Sequence, residues 1–368
     1  MLGGFPALLG LAGCATTTTV RPSAAGVAAP LALTSVGVEP KTLDVSQEQV
    51  ATFRYAITQP AAVRIDLVDE AGFVVRQLEA GNQSAGLHTL TWDGTAVNGE
   101  PVPPGVYRYI LHAHAPDDGR WSTDSTYDPS RDTGGEELPP WDFTYDRDTG
   151  TLRWVMPKAG YARLRIGMQG FPHLRTLMDW APLEAGEREV IWDGLDASGL
   201  ISAKDHPNLA INLSAFAMPH NTVIVRHGSP AVADRQAMDQ VYPALARPDA
   251  AYLHARHPRA ACHEARLRID MPKTWQAGSD VPVVSGVVPV RVVLDERDAE
   301  HLTNSRFEIA LFEDTTFLAE EEEGTNPFTY LWDTTRLAPG EHLLTANILS
   351  YDDHYGVETI RVMVEPPQ

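Results

Sequence analysis

Cysteine and positively charged side chains are what this chain has least of. Its 368 residues include 2 Cys, and 29 Lys and Arg stand against 49 Asp and Glu, a formal net charge of −20. Two thiols exclude a disulfide framework as the source of stability. None is needed, since 43% hydrophobic residues over this length are enough to build ordinary soluble cores. The shortage of cations excludes nucleic acid as a partner, because binding a phosphate backbone takes a basic stripe and the sequence carries none. Catalytic signatures are missing too. There is no Gly-x-Ser-x-Gly elbow, no Gly-rich phosphate loop and no carboxylate pair at a family spacing, so neither an enzyme nor a cofactor is expected.

What is present is punctuation. With 28 Gly, 28 Pro and many short runs of Val, Ile, Thr and aromatics, the chain reads as short strands and turns, an all-β protein. Its organising stretch is Leu90-Thr91-Trp92-Asp93-Gly94, which recurs as Val190-Ile191-Trp192-Asp193-Gly194 and, altered, as Tyr330-Leu331-Trp332-Asp333-Thr334. Each copy reads as a strand end with an indole turned inward and a tight turn after it. Glycine takes positive φ without steric cost and the Asp side chain bonds its own backbone, so the strand stops there. Three copies at domain-sized spacing predict repeated modules with Trp92, Trp192 and Trp332 as core plugs.

Residues 1–13 are apolar, uncharged and too short to cross a bilayer as a mature helix. Their end, Leu11-Ala12-Gly13-Cys14, resembles the lipobox of bacterial lipoproteins, which implies a signal peptide cut before Cys14 and a lipid on its thiol. Ala15 after the Cys implies, in that family, the outer membrane. No Lys or Arg precedes the apolar run, so an ordinary secretory signal and a buried N-terminal segment stay open as alternatives. Residues 14–33, rich in Ala, Thr and Pro, read as a flexible tether.

Period-two alternation in Thr52-Phe53-Arg54-Tyr55-Ala56-Ile57, Val63-Arg64-Ile65-Asp66-Leu67-Val68 and Tyr107-Arg108-Tyr109-Ile110-Leu111 places a first sandwich over residues 34–115. A second copy follows at an offset of about 100 residues, the size of one sandwich domain. Thr151-Leu152-Arg153-Trp154 answers to Thr52-Phe53-Arg54-Tyr55, Leu174-Arg175-Thr176-Leu177 to Val75-Arg76-Gln77-Leu78, and Gly186 to Gly86. With the closing Gly105-Val106-Tyr107, these features resemble the Ig-like domain of the flagellar hook-capping protein. That likeness implies architectural and binding modules without chemistry of their own. A third module, residues 266–368, resembles bacterial Ig-like domains appended to surface proteins and glycoside hydrolases. It does so through Ser285-Gly286-Val287-Val288-Pro289-Val290, the Trp332 corner and Pro339-Gly340-Glu341-His342-Leu343-Leu344. The second sandwich is expected over 143–228.

Two connections separate the modules. Residues 116–142, with Asp117, Asp118, Asp124, Asp128 and Asp132, read as a solvated acidic linker, with calcium as the alternative occupant. The run Glu320-Glu321-Glu322-Glu323 likewise reads as solvated loop, with an acidic docking site as its alternative. Residues 229–265, with His254, His257, Cys262 and His263, read as an irregular connection or a docking arm; their spacing matches no metal motif, and no metal site is expected. Val223-Ile224-Val225-Arg226-His227-Gly228 resembles the Arg-His-Gly of histidine phosphatases, but it should close the second sandwich, a context that gives His227 no such role.

These observations imply an exported, lipid-anchored chain of three tandem Ig-like β-sandwiches. It is expected to bind a protein partner as a scaffold or accessory subunit of an envelope or membrane complex. Carbohydrate binding is the alternative, through Trp121, Trp141 and Trp180 taken as exposed.

Overall fold

The computed structural model describes residues 30–115, 124–139, 141–170, 172–228, 264–272, 281–351 and 354–366. Over these, the chain is all-β and forms three two-sheet sandwiches. In the first, β1 (Leu33–Glu39), β3 (Ala51–Ile57) and β6 (Gly86–Trp92) make one sheet. The facing sheet runs in the order β2 (Thr42–Asp44), β15 (Thr222–Arg226), β7 (Gly105–His114), β4 (Ala61–Val68) and β5 (Val74–Gln83), with β8 (Asp124–Tyr127) beside the far end of β7. Alternation settles which side faces in: Ala51, Phe53, Tyr55 and Ile57 of β3 are buried, while Arg54 points to solvent.

The second sandwich pairs β9 (Trp141–Asp146), β10 (Thr151–Met156) and β13 (Gly186–Ile191) against β11 (Gly160–Met168), β12 (His173–Leu183) and β14 (Leu209–Ala217). The third sets β16 (Leu267–Asp270), β18 (Val287–Leu294) and β21 (Phe328–Asp333) against a larger sheet. That sheet holds β17 (Val283–Val284), β19 (Phe307–Glu313), β20 (Thr316–Glu321), β22 (Gly340–Ser350) and β23 (Tyr355–Val364). A helix, α1 (Glu296–Ser305), connects β18 to β19. Nothing in the strand and turn composition marks it.

The first two sandwiches are nested, which the sequence did not predict. Strand β15, expected to close the second sandwich, pairs antiparallel with Gly105–Arg108 of β7 and parallel with β2. β8, expected to lie in a solvated linker, pairs with Leu111–His114 of the same β7. The two segments therefore form the two halves of one strand position beside β7, and the whole second sandwich is inserted between them. Asn221 joins the halves: its amide donates to Tyr109 O at 2.8 Å and to Asp128 Oδ1 at 3.2 Å, and its own carbonyl accepts from Tyr109 N. Asp128 is thus a structural acceptor at the splice, which also receives Ser130 N. The insertion covers the outer face of β7, so Val106 and Arg108 are buried although the strand alternates.

Candidate interaction surface

The repeated corner explains the residues that the two nested copies share. Trp92 and Trp192 are 1% and 2% exposed, and their indole N–H groups donate to Thr95 O at 2.9 Å and Leu195 O at 2.8 Å. Each following Asp accepts from the amide two residues on, Asp93 from Thr95 N and Asp193 from Leu195 N, both at 3.0 Å. Gly94 and Gly194 carry φ of +80° and +87°, and a Cβ at Gly94 would meet Val45 at 2.3 Å. The shared Arg reaches over from the facing sheet. Arg76 Nη1 donates to Ala96 O at 2.8 Å, and Arg175 Nη1 to Asp193 Oδ1 at 2.8 Å. Both copies thus tie the two sheets together with one guanidinium.

Electrostatics follow this geometry. Burial pushes the Asp93 carboxyl up, but the Thr95 hydroxyl and amide outweigh it and hold the pKa below its ordinary 3.8; the Leu195 amide does the same for Asp193, helped by Arg175. The stability these groups give is therefore complete above pH 3.8 and is lost as pH falls through their lowered folded values. The third corner differs. Trp332 is 1% exposed, Asp333 accepts from Thr335 N, and a single 3-10 turn, Thr334–Arg336, replaces the glycine turn.

Junctions between the sandwiches are packed. Val106 and Ile224 of the first meet Tyr161, Trp180, Phe216 and Met218 in one buried cluster, and Tyr161 OH donates to Glu70 Oε1 at 2.7 Å. Trp180, expected to be exposed, is 0% exposed. The reason is the junction: a bulge, where Trp180 takes φ +42°, turns the indole out of its own sandwich's core, and Val106 and Ile224 of the first sandwich cover it there. Arg163 stacks over its far face at 4.3 Å and over Tyr355 of the third sandwich at 4.9 Å, while Arg165 lies 3.5 Å above Tyr355. Beside this stack Asn347 accepts from His173 N at 2.8 Å and donates to His173 O at 2.9 Å, as a strand neighbour would. Replacing Tyr355 with Ala removes two shielded cation–π contacts, worth roughly 2–4 kcal/mol together. Small-angle scattering of the full chain is expected to show a larger maximum dimension for Tyr355→Ala, and an unchanged curve would show that the stack is not what holds the junction.

The family match falls on the first sandwich. Residues 41–117 match the FlgD Ig-like domain family. The basal-body rod modification protein FlgD of Salmonella typhimurium is 44% identical over 62 residues, 17% of this chain and 27% of that protein. Its counterpart in Escherichia coli is 39% identical over 51 residues, 14% of this chain and 22% of that protein. The chain thus spans only a minor part of the curated relatives it matches. Among solved structures, FlgD from P. aeruginosa shows 24% identity, covering 27% of this chain and 68% of that one at a TM-score of 0.20. The fibronectin(III)-like modules of Clostridium thermocellum CbhA show 8% identity over 90% of this chain and 94% of theirs, at a TM-score of 0.21.

The FlgD-like match runs from just before β2 to just past β7, and ends before the half-strands β8 and β15 that complete the FlgD-like sandwich. Around that sandwich the surface offers several features. A cleft of about 630 Å³ opens where it meets the insertion, lined by Lys41, Thr42, Lys158, Glu184, Met218 and His220. Trp141, at the edge strand β9, is 54% exposed. On the third sandwich Val287 and Leu331 stand 60% and 64% exposed on one sheet face. His227, of the Arg226-His227-Gly228 run, places Nε2 2.8 Å from Val102 O, so its ring ties the end of β15 to the FlgD-like core. Glu320 is exposed at the end of β20, with Glu322 and Glu323 exposed in the turn beyond. Cys14, Trp121, His254, His257, Cys262 and His263 lie outside the described residues. Among the described residues no helix is long and apolar enough to cross a membrane.

Proposed function

We propose that the chain is a non-catalytic, exported lipoprotein, anchored through Cys14, that serves as a rigid scaffold or accessory protein-binding subunit of an envelope or membrane complex. The observation that carries this reading is the nesting. Two chain crossings and a buried cluster fix the second sandwich on the FlgD-like one, and an aromatic and guanidinium stack fixes the third. A chain that only tethered independent binders would gain nothing from such junctions. The likeness to the Ig-like part of proteins named for basal-body rod modification supports a role in an assembly.

Cross-linking in intact cells followed by affinity capture from solubilised membranes tests the proposal. One partner is expected at fixed stoichiometry, and Cys14→Ala is expected to release the chain from the membrane fraction. Recovery of the wild-type chain alone, at all cross-linker concentrations, sinks it. Carbohydrate binding keeps one supporting observation, the exposed Trp141 ring. Glycan-array binding that Trp141→Ala abolishes would favour that reading instead.

A further inference from the structure

We propose that Glu313, Asp314 and His342 of the third sandwich form a binding site for a divalent transition-metal cation of the Zn²⁺ class. This site is independent of the scaffold reading. Glu313 ends β19, Asp314 begins the turn to β20, and His342 lies near the start of β22. Registry brings them together, since Glu313 pairs with Leu344 and Asp314 N donates to Leu343 O. His342 Nδ1 stands 2.7 Å from Asp314 Oδ2 and 3.5 Å from Glu313 Oε1, and one donor atom from each residue lies within 4.8 Å of the others. Nitrogen and oxygen ligands about 2.0–2.2 Å from a tetrahedral zinc are roughly 3.3–3.5 Å apart. A cation therefore fits with a small outward shift of Asp314, the most exposed of the three.

Groups outside the triad orient its donors, and this is what separates it from a chance meeting of surface charges. His342 Nε2 lies 2.8 Å from Ala338 O, so the ring donates there and leaves Nδ1 to face both carboxylates. Leu343 N donates to Asp314 Oδ1 at 2.8 Å and leaves Oδ2 turned to the imidazole. Burial and the adjacent Asp314 charge push the Glu313 carboxyl up, against the weaker opposite pull of His342 and the Trp332 indole. Backbone carbonyls and amides behind the ligands are the usual supports of metal-binding side chains. Nδ1 and the two carboxylate oxygens thus converge on one point, where a bound dication would offset the carboxylate charge. Two carboxylates with one imidazole make a hard-to-borderline set that suits zinc or a similar metal and leaves a coordination position for water.

The test uses the full chain, freed of metal, titrated with Zn²⁺ in a calorimeter and with Co²⁺ by visible absorption. Wild type is expected to bind at this site with a cobalt band of low coordination number. Glu313→Gln, Asp314→Asn and His342→Ala are each expected to lower the affinity of that step at least tenfold and to remove the band. Circular dichroism checks each fold. Glu313→Gln keeps the side chain's size, so the comparison stands even if His342→Ala fails to fold. Zinc affinity and cobalt spectrum unchanged in folded Glu313→Gln and Asp314→Asn would overturn the proposal, as would no binding by wild type. Either result would leave the three residues as a hydrogen-bonded cluster.

Discussion

Replacing Trp92 with Ala is expected to destabilise the protein by about 3–5 kcal/mol, the usual cost of emptying a buried aromatic site. The indole is 1% exposed, meets Tyr107 edge-on at 5.6 Å, and bonds Thr95 O. Its core also contains Val223 and Val225, which reach it on β15 only after the chain has traversed the second sandwich. Loosening that core therefore frees one of the two attachments of the insertion. In differential scanning calorimetry, Trp92→Ala is expected to lower a transition shared by the first two sandwiches and to leave the third unmoved. Trp332→Ala should do the reverse. If Trp92→Ala moved the first sandwich alone, the two would be independent units and the nesting would be without mechanical consequence.

How much of this was legible depended on how local the signal was. The corner could be read because all its parts lie close together: an indole, a carboxylate two residues before the amide it accepts from, and a glycine whose Cβ would collide with Val45. Strand alternation gave β3, β4 and β7 for the same reason. The shared Arg of the two copies was visible as a pattern, but its task was not, since Arg76 meets Ala96 across 20 residues and between sheets. Partnering of Thr222–Arg226 was out of reach. An apolar run of Val and Ile fits any sheet, and nothing in it states whether the strand it joins is the nearest or lies behind an inserted domain. Trp180 was misplaced because its cover comes from Val106 and Ile224 of another sandwich, which no local pattern around residue 180 announces. His342 and Asp314 are 28 residues apart, in strands brought together by register, so no ligand spacing could announce them.

Cutting the chain where the first sandwich ends by sequence is expected to leave it unfolded. A fragment of residues 30–115 keeps every strand of that sandwich except β8 and β15, yet it loses the partners of β7 along both Gly105–Arg108 and Leu111–His114. It also loses Val223 and Val225, which are 0% and 1% exposed. Burial of two such side chains is worth about 3–6 kcal/mol, a large share of the roughly 5–15 kcal/mol that holds a domain together. The bared strand adds an apolar edge open to intermolecular pairing. A fragment of residues 30–228 is expected to fold and to melt cooperatively. The decisive protein removes residues 129–220 from that fragment and joins the cut ends with a short Gly-Ser linker. Asn221 Nδ2 and Asp128 Oδ1 are 3.2 Å apart, so the splice needs little chain. It should regain the β spectrum and the cooperative transition that residues 30–115 lack. Its solubility should fall, because Val106 and Ile224 lose their cover. A fragment of residues 30–115 that folded as cooperatively as residues 30–228 would show the returning strand to be dispensable.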